Sequence, residues 1–544
     1  MFVYLQNITN RILLIYMSYK RAFVLIAFLM FIGATKAQQS CSQANELTYN
    51  VEMQTTVSTG DNNPLWLNAN KYGLSSTKND NGYIRYGVFR PLIGDSIHKF
   101  SIGYGLDIAT AYNFTSAMII QQAFMECKWL HGVLTIGSKQ QPMELKNNEL
   151  SSGSQTLGIN ARPIPQVRIA LPDYLNIPGT HGWLGIKGHI AFGKTTDGKW
   201  QEDVAGKDQK YTSNTLYHSK AGYIQIGRED KSRFSVELGL EMACIFGGTS
   251  YNIFDTEGNK ITTLKNKVNY WNAFIPGEGK DGSEKGVLSN AEGDHLGSYL
   301  LRINWKNNDW KISAYADHFF EDQSGMFFLD YDGYGSGKNW NTKEKNRYVL
   351  YYLKDILLGW ELQLPKNRYV SNIVCEYLCT KYQSGPIYHD RSETVSDHIG
   401  GDDNYYNHSV YTGWQHWGQV IGNPLYRSPI YNKDGYIGVE DNRFIAWHFG
   451  FSGDPYRNLH YRVFLTTQKG WGTYSVLYTD IKRNTSMLIE ATYKFPDCIA
   501  RINTQNWSVR GAFALDKGSL LGNNTGFQFT IIKNGILSNR KSRK

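Results

Sequence analysis

Over much of its length the chain alternates apolar and polar residues with a period of two. Leu47, Tyr49, Val51 and Met53 alternate with Thr48, Asn50, Glu52 and Gln54. Phe100, Ile102, Tyr104, Leu106 and Ile108 alternate with Ser101, Gly103, Gly105 and Asp107. The same beat returns in Phe234, Val236, Leu238, Leu240 and Met242, in Tyr299, Leu301, Ile303 and Trp305, and in Trp507, Val509, Phe513 and Leu515. Successive side chains of a strand point to opposite faces, so each run predicts a strand with one greasy and one wet side. A helix would scatter the same residues around its cylinder. Two such different faces fit either a soluble sandwich or a sheet with lipid on one side.

The connections separate the two. Short segments at 94–96, 130–132, 228–231, 306–309, 365–368 and 453–456 alternate with long polar ones at 58–82, 140–163, 194–215, 244–297, 319–352 and 380–442. An outer-membrane barrel has short periplasmic turns and long external loops, whereas a soluble barrel has no reason for that parity. Trp129, Trp305, Trp310, Trp360 and Tyr369 fall at predicted strand ends, where girdles at the two membrane interfaces would place them. The expected fold is all-β: a closed antiparallel transmembrane β-barrel of about 18 strands with long external loops. Nineteen strands can be marked, one too many for an even-numbered barrel, and 164–171 and 473–479 are the weakest. No internal repeat or linker marks a second domain, and residues 38–45 are too few for a plug domain of the TonB-dependent kind.

Composition agrees. The mean hydropathy is −0.43, and no run approaches the ~20 apolar residues of a membrane-spanning helix. The 25 Phe, 37 Tyr and 14 Trp argue against disorder. Residues 20–37 read as a secretory leader: Lys20-Arg21, an apolar run from Ala22 to Gly33, then small residues before a cut after Ala37. Met17 offers an alternative start. The expected division is therefore a signal peptide over 1–37 and the barrel over 38–544. Basic residues exceed acidic ones by nine over the whole chain, and four of the nine lie in the leader, so the balance carries no nucleic-acid footprint. The six cysteines are scattered without a CxxC pair. Cys375 and Cys379, ~13 Å apart at strand rise, cannot bridge each other.

Three segments carry a family resemblance. They are GDNNPLWLNANKYG at 60–73, GINARPIPQVR at 158–168, and NYYNH at 404–408 followed by GWQHWG at 413–418 and IGNPL at 421–425. In this order they resemble the Wzi-type capsule assembly family, in its Bacteroides-like branch. The resemblance implies an outer-membrane barrel at the surface of a Gram-negative bacterium. Such a barrel would bind capsular polysaccharide as a lectin and help attach or assemble the capsule. It implies no catalytic residue, cofactor or metal. Its partners would be capsular polysaccharide, outer-membrane lipid and the barrel-insertion machinery, with the protein a monomer. Enterobacterial members carry a small helical bundle at the periplasmic mouth, and no helical period precedes the first strand here.

By parity all three motifs fall in or beside external loops. Aromatic rings stack on sugar faces, while Asn, Gln, His and Arg bond hydroxyls or uronic carboxylates. The candidate glycan-binding residues are Trp66, Arg162, Gln166, Arg168, Tyr405, Tyr406, Asn407, Trp414, His416 and Trp417. Each has a structural alternative: 404–417 could fold back into the lumen as a packed constriction, and Arg162 and Arg168 could belong to an inward ladder satisfied by facing acids. Pro163 and Pro165 predict an irregular start to the next strand. The runs at 330–333 and 401–404 do not complete a calcium loop. Glu237 and Glu241, ~13 Å apart on one strand face, are too distant for a glycosidase pair. A porin-like or saccharide-export channel is the main alternative function, and a barrel hydrolase a lesser one.

Overall fold

The computed structural model describes residues 47–538, except 93–98, 229–230, 256, 276–292, 322–327, 331–336, 340–341, 343–346, 350–353, 390–397 and 500–501. The leader, residues 38–46 and the segment at 331–333 therefore lie outside the described residues.

Eighteen strands form one antiparallel sheet. In chain order they are β1 Leu47–Thr59, β2 Asp80–Arg90, β3 Phe100–Tyr112, β4 Met118–Trp129, β5 Gly132–Ser138, β6 Gln166–Asn176, β7 Leu184–Lys194, β8 Leu216–Ile226 and β9 Phe234–Phe246. The second half comprises β10 Asp294–Lys306, β11 Lys311–Glu321, β12 Ile356–Gln363, β13 Asn372–Cys379, β14 Phe444–Tyr456, β15 Leu459–Gly472, β16 Leu477–Lys494, β17 Trp507–Gly518 and β18 Asn524–Ser538. Each strand pairs with its chain neighbour. β1 also pairs with β18, in a register that sets Glu52 opposite Ile532, and this closes the barrel. Closure leaves no edge, which lipid would not tolerate.

The strand count resolves the odd nineteenth. The stretch at 164–171 is the start of β6, whereas 473–479 is no strand of its own: it holds a turn and the first residues of β16. At one mouth every connection has twelve residues or fewer, from the two-residue turn at 457–458 to 495–506. The long connections all lie at the other mouth, although 113–117, 473–476 and 519–523 there are short as well.

Outward-facing residues include Met53, Val57, Leu106, Ile120, Ile169, Ile190, Leu238 and Phe513, all exposed. An exposed apolar belt of this extent belongs in lipid, not water. Phe100, Trp129, Trp183, Phe234, Trp305, Tyr369 and Tyr456 are exposed at the short-turn mouth. Trp310 packs edge-on against Trp305 at 5.3 Å between ring centroids. Trp360 departs from the expected girdle, because it sits within β12 opposite Ala314 and Cys375.

The inward faces are polar yet buried, because loops fill the lumen. Glu241, Asp317, Glu361, Glu376, Glu490 and Asp516 all point inward and are buried. Segment 139–165 crosses the lumen without regular secondary structure, so its backbone N–H groups need acceptors from elsewhere. Wall carboxylates supply some of them: Asp317 accepts from the Gln155 N–H at 3.1 Å and Glu376 from the Ser152 N–H at 2.7 Å. Asp516 does the same for the 60–79 connection, accepting from the Leu65 N–H at 3.0 Å. Lys146 adds a fully buried ion pair to Asp317 at 2.5 Å. Gly359 on β12 lacks a Cβ, and the Tyr315 ring lies over that place, letting its hydroxyl donate to Glu376 at 2.6 Å.

Candidate functional site

The three sequence motifs are far apart in the chain and meet inside the barrel. The Tyr72 and Gly73 N–H groups donate to the carbonyls of Ile159 and Asn160, each at 2.8 Å. Asn160 Nδ2 donates to Val420 O at 2.9 Å. Trp414 Nε1 donates to Thr156 O at 2.9 Å, and His416 Nδ1 lies 2.8 Å from Arg162 O. Trp66 Nε1 reaches across to Thr466 of β15 at 3.0 Å. The knot touches the wall all round: Gln121 of β4 donates to Tyr72 O, Tyr217 of β8 stacks on Trp414, and Lys71 pairs with Glu490 of β16.

This arrangement sorts the ten candidate residues. Trp66, Tyr405, Tyr406, Trp414 and His416 are each no more than 2% exposed. They are the rings of the plug, and in this conformation they offer no face to a sugar. Gly413, in left-handed backbone (φ 79°), brings the Trp414 N–H to Tyr406 O at 3.0 Å. A side chain at 413 would strike that same carbonyl. Asn407 is half-buried and clasps the backbone of Val439 through both amide atoms, at 2.8 Å each.

Arg162, Gln166, Arg168 and Trp417 are differently placed. A cavity of about 260 Å3 lies between the plug and strands β6 to β9. Arg162, Gln166 and Arg168 line it together with Lys139, Glu144, His189, Tyr217, Tyr223 and Glu241. Glu144 is already paired with Lys187 at 2.6 Å, and Lys139 with Glu126 at 2.7 Å. Glu241 accepts from the Tyr223 hydroxyl at 2.7 Å and the Leu157 N–H at 3.3 Å. No described carboxylate lies within ion-pair distance of either arginine. Arg162 donates to the Thr115 hydroxyl at 3.0 Å and lies over the Trp417 ring at 4.2 Å, while its Nε has no partner. Burial lowers the Arg162 guanidinium to about 10, against an opposing pull from Asp197. The buried Gln166 Oε1 also lacks a partner. An acid-satisfied ladder thus does not account for these two arginines. Glu237 is bonded to Asn304 and Tyr174.

Trp417 is half-buried, and its Nε1 donates to Thr196 Oγ1 at 3.1 Å. The Trp200 ring lies 6.4 Å away. Beside it, at the long-loop mouth, a second hollow of about 510 Å3 is lined by Lys194, Thr196, Lys199, Tyr211, Asn214 and Tyr251 among others. Tyr211 and Tyr251 stack at 4.4 Å within a small sheet of Tyr211–Ser213, Thr249–Phe254 and Lys260–Lys265. Sequence reasoning missed His189, Tyr217, Tyr223 and Tyr251, because only the tertiary fold brings β7, β8 and the 247–265 hairpin to these hollows. Among the described residues no group of His, Cys, Asp and Glu could hold a metal ion. The described cysteines, Cys127, Cys244, Cys375, Cys379 and Cys498, are all free thiols.

The barrel is similar to solved outer-membrane barrels of Gram-negative bacteria. One is Wzi of Escherichia coli, an outer-membrane protein involved in group 1 capsule assembly and a carbohydrate-binding β-barrel. It is 12% identical over 89% of this chain and 83% of that one, with a TM-score of 0.50. The likeness is one of fold. OccD3 and OccK5 of Pseudomonas aeruginosa align over 93% and 91% of this chain and 94% and 99% of theirs, at 8% and 7% identity with TM-scores of 0.43 and 0.44. No protein-family model and no curated protein matches the sequence.

Proposed function

We propose that this chain is an outer-membrane protein that binds capsular polysaccharide and helps hold or assemble the capsule at the cell surface. It is a binding protein, not an enzyme. The leader over 1–37 takes it across the inner membrane, the barrel-insertion machinery places residues 38–544 as a monomer, and the long-loop mouth faces the cell exterior.

One observation carries this reading. The motif segments pack into the lumen with their own side chains, yet leave Arg162, Gln166 and Arg168 lining unfilled space, with Arg162 Nε and Gln166 Oε1 unbonded and the Trp417 ring beside Arg162. A lumen filled in this way suits a lectin better than a channel. Guanidinium groups next to an indole suit acidic sugars, since Arg binds carboxylates in a bidentate fork and aromatic rings accept the apolar face of a pyranose.

The test is a deletion strain. It should shed capsule into the medium, and the purified protein should bind the polysaccharide of the producing cells. A deletion strain with a normal cell-bound capsule would sink the proposal. In planar bilayers the protein should be nearly silent, and steady porin-sized conductance would favour the channel reading instead.

A further inference from the structure

Among the described residues the 60–79, 139–165 and 404–425 segments of the long-loop mouth fold inward, but the segment after β9 goes the other way. β9 ends at Phe246, and Gly247 and Gly248, both in left-handed backbone (φ 63° and 71°), turn the chain into the 249–265 hairpin. Asn266 then ties the hairpin base together, its Nδ2 donating to Ser250 Oγ at 2.8 Å and its N–H to Gly248 O at 2.9 Å. From there the chain runs down the outer surface of the wall. Asn269 caps a short helix, Tyr270–Phe274. Its buried residue, Ala273, packs with Cys244, Phe246, Phe192 and Leu216, the outward side chains of β9, β7 and β8. Tyr270 meets Phe192 and Phe246 edge-on at 5.5 and 5.6 Å.

This strap covers polar side chains that would otherwise face lipid. Lys220 of β8 points outward, donates to Phe274 O and sits 4.4 Å from the Phe274 ring. His295 of β10 also points outward, with Nε2 3.0 Å from Asn272 O. His218 stacks on Phe192 at 4.3 Å, with the Phe274 ring beyond it at 5.6 Å. The strap's other face is greasy: Trp271 is 67% exposed, Tyr270 56%, Val268 52% and Ile275 45%. Lys265 and Lys267, just before it, are exposed as well.

Two costs confine the strap to one level. In water, four large apolar side chains on eight consecutive residues would lie bare, contiguous with the apolar belt of the barrel. In the hydrocarbon core, the free backbone groups of a one-turn helix would go unsatisfied, and the lysines would be charged in oil. Only the headgroup boundary accepts both, and there tryptophan, tyrosine and lysine are favoured.

We infer that residues 268–275 are a membrane-interface strap, seated at the acyl–headgroup boundary of the leaflet on the long-loop side, with Trp271 and Tyr270 in contact with lipid. The inference rests on the barrel's lying in a membrane and goes beyond the capsule reading. It makes the barrel's outer surface asymmetric, with a wider greasy shoulder over β7 to β10.

The test uses full-length protein in phospholipid nanodiscs whose acyl chains are brominated close to the headgroup. The emission difference between wild type and Trp271→Phe isolates Trp271. That difference should be quenched at least twofold by the brominated lipid and should not respond to iodide in the buffer. Iodide quenching, or indifference to bromine, overturns the strap. Total emission serves as the control, because exposed Trp129, Trp183 and Trp305 lie in the belt at the other mouth. If bromine leaves total emission unchanged, the membrane reading itself fails. If it quenches the total but not the difference, only the strap fails. Ile275→Cys carrying a polarity-sensitive dye, read against the labelled wild type, reports the same depth with Trp271 intact.

Discussion

Two sides of the lumen treat their arginines differently. On the side of β10 to β16 each guanidinium is anchored to a wall carboxylate and to a plug carbonyl. Arg302 donates to Asn304 at 3.0 Å, Leu145 O at 3.1 Å, Ser313 at 2.9 Å and Glu361 at 2.5 Å. Arg462 donates to Glu490 at 2.8 Å and Glu149 O at 3.0 Å. On the side of β6 to β8, Arg168 has no hydrogen bond or ion pair among the described residues, and the acids near it, Glu144 and Glu126, are matched to lysines. The first side holds the plug in place. The second has binding capacity left over, and a buried polar group left unpaired costs stability unless water or a ligand completes it.

Breaking the plug-holding side should give the largest effect. Lys146→Ala strips a fully buried carboxylate of its cation, and about 3–5 kcal/mol should be lost, read by urea unfolding in detergent micelles. A loss below 1 kcal/mol would mean that the Gln155 contacts to Asp317 suffice alone. Arg462→Ala should cost about 2 kcal/mol, the range for hydrogen bonds to charged groups.

Arg168→Ala should reverse the pattern. Stability should stay within about 0.5 kcal/mol, while affinity for an acidic capsular polysaccharide should fall about tenfold or more, as for one lost charge-assisted bond. Titrating the native polysaccharide and its carboxyl-reduced form against both proteins checks this. Equal affinity of wild type and variant would return Arg168 to the wall. Gln166→Ala should lower affinity by only about threefold, since a neutral hydrogen bond is weaker.

The plug also predicts a pH dependence. Burial, with Lys210 and His295 adding to it, depresses the His408 imidazole to about 3, and its Nδ1 accepts the Val410 N–H at 3.0 Å. The folded state therefore holds neutral histidine. Its contribution to stability is full above the ordinary value near 6.5 and is lost as pH falls toward 3. His416 shifts in the same direction through burial. Asp441, which accepts the Gly472 N–H at 2.9 Å, is pushed by burial up to about 7 and acts with the opposite sign between about 4 and 7. In an Asp441→Asn background, protease nicking within 404–425 should rise between pH 6.5 and 4, and His408→Gln should flatten that rise. A profile unchanged by His408→Gln would remove this residue from the account.

The alternating runs made the wall legible. Glu52 and Gln54 turn inward while Met53 turns outward, as their order along β1 requires, and the parity of long and short connections set the two mouths apart. The motifs were less legible. Trp414 and Trp417 lie three residues apart in a segment rich in sugar-binding residue types, yet one is wholly buried against Tyr217 and the other half-open beside Arg162. Periodicity fails in irregular backbone, so nothing local separates them.

The sequence by itself therefore determined a barrel: its strand faces and its long-loop mouth follow from a period of two and from loop length, whereas the closure at eighteen strands is seen only in the pairing of the first strand with the last. The tertiary structure alone decided that those loops enter the lumen, that the strap at 268–275 leaves it, and which arginines go unmatched. The reason is physical. Strand faces are set by neighbours one and two residues away, whereas the partners of an irregular buried segment, such as Asp317 for Gln155 or Asp516 for Leu65, come from strands hundreds of residues distant.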